Sequence, residues 1–279
     1  MPCINLNDVD AINNLQENNF AYPCLNWNVD MPQIFGQFDS LTRMYTLISN
    51  RQGDLPNQNG QNLTEYFTGN EALNANLYQT IENQITNLIT QFLAEHYVLA
   101  EDQILNPQDV NTLKVIAIGI HLWGGITGRL IFICNGGFNH NFNVESYLLM
   151  IREIIQGNNL AAVEAVIQIP CIGISFGTKH CAFWSRALHL HNNQNGNNHA
   201  ITPIYDKNIA EVLYGRSGQL TLNQYDQYIN VDLPNALNEI YAMNQNLNAG
   251  NFNAFNFERL IFNFSNSVDG QDWRIRRTQ

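Results

Sequence analysis

Cysteine is scarce and scattered in this chain, and long apolar runs are missing. The five cysteines among 279 residues form no C-x-x-C pair, which excludes a disulfide framework and a thiolate cage for zinc or an iron–sulfur cluster. No run of about eighteen apolar residues occurs, and no basic-then-apolar signal pattern opens the chain. We therefore expect a soluble, cytoplasmic protein with no membrane partner, in a reducing compartment.

Strand-like alternation is also missing, while apolar residues recur at helical spacing. With 45% hydrophobic residues the chain can bury a core. Between Glu71 and His96 the apolar positions fall three or four residues apart, which is typical of one stripe on a long amphipathic helix. This stripe consists of Leu73, Leu77, Ile81, Ile85, Leu88 and Phe92. The sequence predicts an all-α protein.

Capping residues predict where the later helices begin and end. Asn106-Pro107 is typical of an N-cap followed by proline at the first helical position, and it opens a helix that runs toward Trp123. Asn143 caps a helix that Gly157 ends. Further helices are predicted at about 160–168, 178–190, 207–214, 221–229, 234–247 and 253–264.

The acidic residues are concentrated at one end of the chain. The net charge of −11 is already reached within residues 1–110, which hold thirteen acids and two bases. Residues 111–279 hold eleven of each, and residues 111–216 carry a net charge of +2. We therefore divide the chain into an acidic, Asn-rich helical region, 1–110, and a core, 111–279. This distribution leaves the middle of the chain free to contact phosphate.

A short helix, a tight connection and a second helix follow one another in LAAVEAVIQ-IPCIGISFG-TKHCAFWSRAL. The connection is predicted at 170–177, and such a hairpin can direct backbone N–H groups and a helix N-terminus at one DNA phosphate. Lys179 is predicted in the first turn of the second helix, where the positive helix end favours its neutral, nucleophilic amine. Lys179, Phe183 and Arg186 share one face, predicted to line a groove or solvent.

Phe176-Gly177-Thr178-Lys179, followed by Pro203-Ile204-Tyr205-Asp206, resembles the lysine and aspartate pair of the helix-hairpin-helix DNA glycosylases. The bacterial branch similar to 8-oxoguanine DNA glycosylase is the nearest, since Trp123-Gly124-Gly125 and Gly128-Arg129 also resemble its pattern. The resemblance covers about residues 115–216. It implies a two-lobed helical fold and a monomer that binds double-stranded DNA containing a modified base.

The resemblance also implies roles for individual residues. Lys179 would attack C1′ of the damaged nucleotide, with or without subsequent strand cleavage, and Asp206 would stabilise the sugar cation while capping its helix. No metal or other cofactor is implied. Candidate contacts to DNA are Ser175, Gly177, Thr178, His180, Arg129 and Arg186. Candidates for the base pocket are Trp123, Phe183 and Trp184.

The chain departs from the family pattern in two places. Ser175 stands where the hairpin usually has its first glycine, and an alternative alignment places residues 169–173 on the hairpin, which displaces Lys179 by one turn. We prefer the first alignment because it places the only nearby lysine correctly. Lys179 and Asp206 are 27 residues apart, more than in better-known members, and an insertion within 189–199 accounts for the difference.

Two other functions and two substrates stay open. His189, His191 and His199 among asparagines resemble a metal-dependent His-Asn-His nuclease, although no strands are predicted around them. A helical DNA-binding protein without activity is the second alternative. As substrate, the resemblance implies an oxidised purine, as in DNA repair. The acidic region and the polar loop at 191–203 could instead shape a pocket for a bulkier base, such as a decorated cytosine in phage DNA, which would make the protein a defence enzyme.

Overall fold

The computed structural model describes residues 75–96, 105–124, 142–170, 172–194, 201–215, 218–243, 248–249 and 252–266. Within these ranges the chain is helical, with no strand, so the predicted all-α class is confirmed. No helix in these ranges has the length and apolarity needed to cross a bilayer. The part of the predicted helical region that precedes residue 75 and the contact assigned to Arg129 lie outside the described residues.

Nine α-helices and one π-helical turn are described in these ranges. Their bounds are α1 Ala75–His96, α2 Pro107–Trp123, α3 Val144–Gln156, α4 Asn159–Val166, α5 Ile174–Gln194, α6 Lys207–Tyr214, α7 Leu222–Gln227, the π-helical turn Tyr228–Asp232, α8 Leu233–Met243 and α9 Ala254–Asn266.

Several helix boundaries follow directly from capping chemistry. The Asn106 side chain accepts hydrogen bonds from the N–H groups of Gln108 and Asp109, both at 2.9 Å, ahead of Pro107. Asn143 caps α3 through the N–H of Ser146. Gly157 follows α3 with φ of 84°, in the left-handed region where glycine has no steric penalty. Both predicted caps and the predicted stop are confirmed.

The described residues form two compact units, one up to residue 194 and one from residue 201. In the first, α5 packs against α1, α2, α3 and α4, and its core includes Ile89, Ile120 and Ile151. The boundary that sequence analysis set between residues 110 and 111 falls inside α2, and α1 packs against α2. The described helices divide instead between α5 and α6.

In the second unit α6 packs against α9, and α7 continues through the π-helical turn into α8. The sequence predicts two separate helices here, at about 221–229 and 234–247. Pro234, at the start of the second, cannot donate a helical hydrogen bond. A π-helical turn precedes Pro234, and in it the N–H of Leu233 donates to the carbonyl of Tyr228, five residues earlier. The helical path therefore persists through Pro234.

Candidate functional site

The hairpin formed by α4, α5 and the turn between them lies in the first unit. Its turn covers residues 167–173, with Ile169 donating to the carbonyl of Val166 and Ile172 to that of Ile169, both at 3.1 Å. The tight connection predicted at 170–177 was placed too late along the chain, because α5 begins at Ile174. The turn coincides with the segment 169–173 that the alternative alignment assigns to the hairpin.

Gly177 explains why the turn was misplaced. It lies inside α5, and its N–H donates to the carbonyl of Gly173 at 2.7 Å. A Cβ at this position would lie 2.9 Å from Cγ2 of Ile167 and 3.1 Å from Cγ1 of Val166. The glycine therefore permits close packing of α4 on α5 rather than a turn. The sequence predicts that its N–H contacts DNA, but this N–H is already bonded within α5.

Lys179 is buried in the second turn of α5, with only 6% of its surface exposed. Its Nζ donates to Oγ of Ser175 at 3.1 Å and lies 5.3 Å from the centroid of the Phe176 ring. The first-turn position expected from the sequence is thus wrong, since α5 starts four residues earlier. The helix dipole acts mainly within the first turn, so the hydroxyl and the ring are the described local influences on this amine.

His180 belongs to a buried network rather than to a surface. Its Nδ1 lies 2.9 Å from the hydroxyl of Tyr147, which also accepts a hydrogen bond from Nε1 of Trp184 at 3.1 Å. Burial lowers the pKa of His180 from 6.5 to about 3, and it raises the pKa values of Tyr147 and Cys181. A neutral, fully buried ring cannot contact phosphate, which corrects the role predicted for His180.

Two further predicted site residues lie in the interior of the first unit. Thr178 is fully buried, and its Oγ1 donates to the carbonyl of Ser175 at 3.1 Å. Trp184 is also buried and packs edge-on against Phe92 at a centroid distance of 5.6 Å. Thr178 therefore stabilises α5 instead of offering its hydroxyl to DNA, and Trp184 fills the core.

Phe183 and Trp123 are brought together by α5 and α2. Their rings meet edge-on with centroids 5.1 Å apart. Phe183 is buried and Trp123 is half-buried. A base pocket in this region would therefore use Trp123 at its border, because Phe183 is already enclosed by the helices.

Arg186, predicted to face DNA, lies in the interior next to Glu82 of α1. Its Nη1 is 4.0 Å from Oε1 of Glu82, and its guanidinium lies 5.8 Å from the centroid of the Phe183 ring. Both charged side chains are buried. This pairing corrects the assigned phosphate contact, since the guanidinium is directed at a carboxylate between the helices.

Glu82 and Tyr147 were missed by sequence analysis. Glu82 precedes Ile85 and Ile89 by three and seven residues, so helical spacing places it on the buried stripe of α1, a signal that could have been used. Tyr147 lies 33 residues from its partner His180, and nothing local in the sequence links the two. Long-range pairs of this kind depend on how the helices pack.

Asp206 lies in the second unit, directly before α6. Its Oδ1 accepts a hydrogen bond from the N–H of Ile209 at 3.2 Å, which confirms the predicted N-cap of α6. The carboxylate is buried, close to a group of aromatic residues that includes Tyr205 and Tyr228, whose rings stack with centroids 5.2 Å apart. Burial raises the pKa of Tyr228, with further contributions from Glu258 and Asp206.

We find no match for this chain among models of known protein families, among curated proteins or among solved structures. Its function must therefore be inferred from the residues themselves, from the surroundings of Lys179 in the first unit and from those of Asp206 in the second.

Proposed function

We propose that the protein is a DNA glycosylase that excises a modified base, with Lys179 as nucleophile and Asp206 as the assisting carboxylate. The single observation that carries the proposal is the buried amine of Lys179 on the helix that follows a tight hairpin. Lysine is among the residues least often fully buried. A solvated surface lysine, the simplest alternative interpretation of the sequence, does not describe this residue.

Two neighbours hold the amine at one place. Oγ of Ser175 accepts its hydrogen bond and the Phe176 ring lies beside it. Both contacts fix the position of Nζ, the atom proposed to attack the sugar. Ser175 is thereby assigned to positioning Lys179 within α5, a more direct role than the DNA contact first predicted.

The start of α5 supplies the means to hold a phosphate. The first turn of a helix has N–H groups without an i−4 carbonyl, and here they belong to Ile174, Ser175 and Phe176. An anion at this end is stabilised by the helix dipole and by those donors. A backbone phosphate would position the DNA without reading its sequence.

The proposed reaction forms a bond from Nζ of Lys179 to C1′ while the bond from C1′ to the base breaks. The base leaves with the bonding electron pair and takes up a proton. Asp206 stabilises the positive charge that develops on the sugar and accepts the proton lost from the attacking nitrogen. Opening of the sugar ring then yields a Schiff base, and β-elimination from it would break the C3′–O3′ bond.

Borohydride reduction of the Schiff base tests the proposal. Incubation with DNA containing the correct modified base should trap the protein covalently, and Lys179→Gln should abolish trapping. Lys207→Gln is the matched control, because the Lys207 side chain is 66% exposed. Asp206→Asn should retain the helix cap, since asparagine is an equally good N-cap residue, yet slow base release by about 10²- to 10⁴-fold.

The substrate is identified by incubating the protein with ordinary, oxidised and phage-modified DNA and analysing released bases by mass spectrometry. Release of 8-oxoguanine alone would assign the enzyme to repair and exclude the defence role. Release of a decorated cytosine would assign it to phage defence. If no base is released from any DNA and borohydride traps no protein on it, the glycosylase proposal is wrong. The alternative of a DNA-binding protein without activity is then favoured.

A further inference from the structure

Three potential metal ligands converge where α1 ends and α2 begins. Glu95 and His96 are the last two residues of α1, and Asp109 lies in the first turn of α2. One ligand atom from each, a carboxylate oxygen or an imidazole nitrogen, lies within 4.8 Å of the other two. The sequence predicts no metal, and twelve residues separate His96 from Asp109 in the chain.

The distance between His96 and Asp109 fits two ligands of one ion. Nε2 of His96 is 3.3 Å from Oδ1 of Asp109. A charge-assisted hydrogen bond is shorter, at about 2.7–2.9 Å. Two atoms that each lie about 2.0–2.1 Å from a tetrahedral zinc ion are separated by about 3.3–3.4 Å, which is the distance found.

Packing and capping constrain the segments that carry two of the three ligands. The His96 ring packs on Phe92 with centroids 4.6 Å apart, and the backbone N–H of Asp109 donates to the Asn106 side chain at 2.9 Å, which fixes the backbone of Asp109 in the first turn of α2. Their side chains are only 12% and 13% exposed, respectively, so a cation between them would be partly shielded from water. Glu95 is exposed, and its carboxylate lies within 4.8 Å of both other ligand atoms.

We propose that Glu95, His96 and Asp109 bind one zinc ion that joins the C-terminus of α1 to the N-terminus of α2. One imidazole and two carboxylates are common zinc ligands, and three protein ligands leave a fourth position for water. The two carboxylates balance the charge of the ion. The site is built from residues of α1 and α2 and does not depend on the proposed glycosylase function.

Calorimetric titration of zinc into the full chain, after stripping with EDTA and removal of the chelator, tests the site. We expect saturable binding of one zinc ion per chain and a higher melting temperature in its presence. His96→Gln should weaken that affinity by about tenfold or more, since even supporting residues of metal sites contribute this much. Cobalt titrated in place of zinc should give the visible absorption of a tetrahedral site.

Two pairs of variants separate this site from adventitious binding. His191→Gln is compared with His96→Gln, because the partly exposed His191 belongs to the histidine segment to which the nuclease alternative assigns a metal. Loss of zinc binding in His191→Gln with normal binding in His96→Gln would place the ion there and overturn the proposal. If His96→Gln does not fold, Glu95→Gln is compared with Glu145→Gln, since both acids are exposed and a change of either leaves the core intact. Absence of saturable zinc binding, or equal affinity within both pairs, would overturn the proposal.

Discussion

At the scale of single residues, the main feature is a set of polar side chains that are buried along α5. Lys179, His180 and Arg186 are each less than a tenth exposed. Each has a described neighbour: the hydroxyl of Ser175, the hydroxyl of Tyr147 and the carboxylate of Glu82, respectively. Buried polar groups need such partners, because an unpaired one loses its hydration without compensation. Among the three, only Lys179 has an amine suited to nucleophilic attack.

His180 should make the stability of the fold depend on pH. Its pKa is about 3 in the folded chain, against about 6.5 for an unperturbed histidine. Between these values the unfolded chain binds a proton that the folded chain does not, so the free energy of unfolding falls as the pH falls. The expected slope is up to about 1.4 kcal/mol per pH unit for this residue, with its full contribution present above pH 6.5.

Urea unfolding between pH 7 and pH 4 measures this slope. His180→Gln should reduce it, while His191→Gln, at a partly exposed position of the same helix, should change it little. An unchanged slope in His180→Gln would show that other groups account for the pH dependence. The imidazole signal of His180 in an NMR titration gives a direct value in the folded wild-type chain.

At the scale of elements, the packing of α4 on α5 determines where Lys179 lies. Gly177 brings the two helices together at one residue, two positions before Lys179. Ile167 and Val166, which face the glycine, are β-branched, so their methyl groups cannot rotate away without straining the side chain. The hairpin therefore depends on a small residue inside a helix, a position where glycine would otherwise be unfavourable.

Gly177→Ala should destabilise the protein. Alanine is favoured over glycine in a helix by about 1 kcal/mol, but overpacking of a core contact costs about 1–3 kcal/mol. Because the new Cβ would lie 2.9 Å from a methyl group, we expect a net loss of about 1 kcal/mol in the free energy of unfolding, measured with urea.

Gly173→Ala is the matched control for this change. A Cβ at Gly173 has no neighbour within 4 Å, so the free energy of unfolding should change by less than about 0.5 kcal/mol. Equal stability of Gly177→Ala and Gly173→Ala would contradict the role assigned to close packing of α4 on α5.

At the scale of the whole molecule, the charge is unevenly distributed. The net charge of −11 opposes DNA binding, yet residues 111–216 carry a small positive excess. Part of this excess is not available to phosphate, because Arg186 balances Glu82 in the interior. Binding to DNA should therefore use fewer cations than the sequence contains, and salt should weaken it only moderately.

Fluorescence anisotropy of duplex DNA at about 50–200 mM salt checks this expectation. Arg186→Gln should leave the slope of log K against log salt unchanged. Arg129→Gln, at the sequence-predicted phosphate contact, should reduce the slope by about one. The reverse outcome, with Arg186→Gln reducing the slope and Arg129→Gln leaving it unchanged, would mean that Arg186 contacts DNA.

The sequence by itself determined the helical class, the caps at Asn106, Asn143 and Asp206, and the stop at Gly157. These depend on spacing and on hydrogen bonds between residues two to four positions apart, so the information is local. The candidate catalytic pair, Lys179 and Asp206, came instead from the resemblance of residues 176–179 and 203–206 to the helix-hairpin-helix DNA glycosylases.

Only the tertiary structure decided which polar residues are buried and where the hairpin turns. A glycine at position 177 fits a turn and a helix contact equally well in the sequence. What distinguishes the two is the position of Val166, at the end of α4, and of Ile167, which follows it. The pairs Tyr147–His180, Glu82–Arg186 and His96–Asp109 join different helices. Packing of amphipathic faces creates such pairs, and the periodicity of one helix cannot specify its partner's side chains.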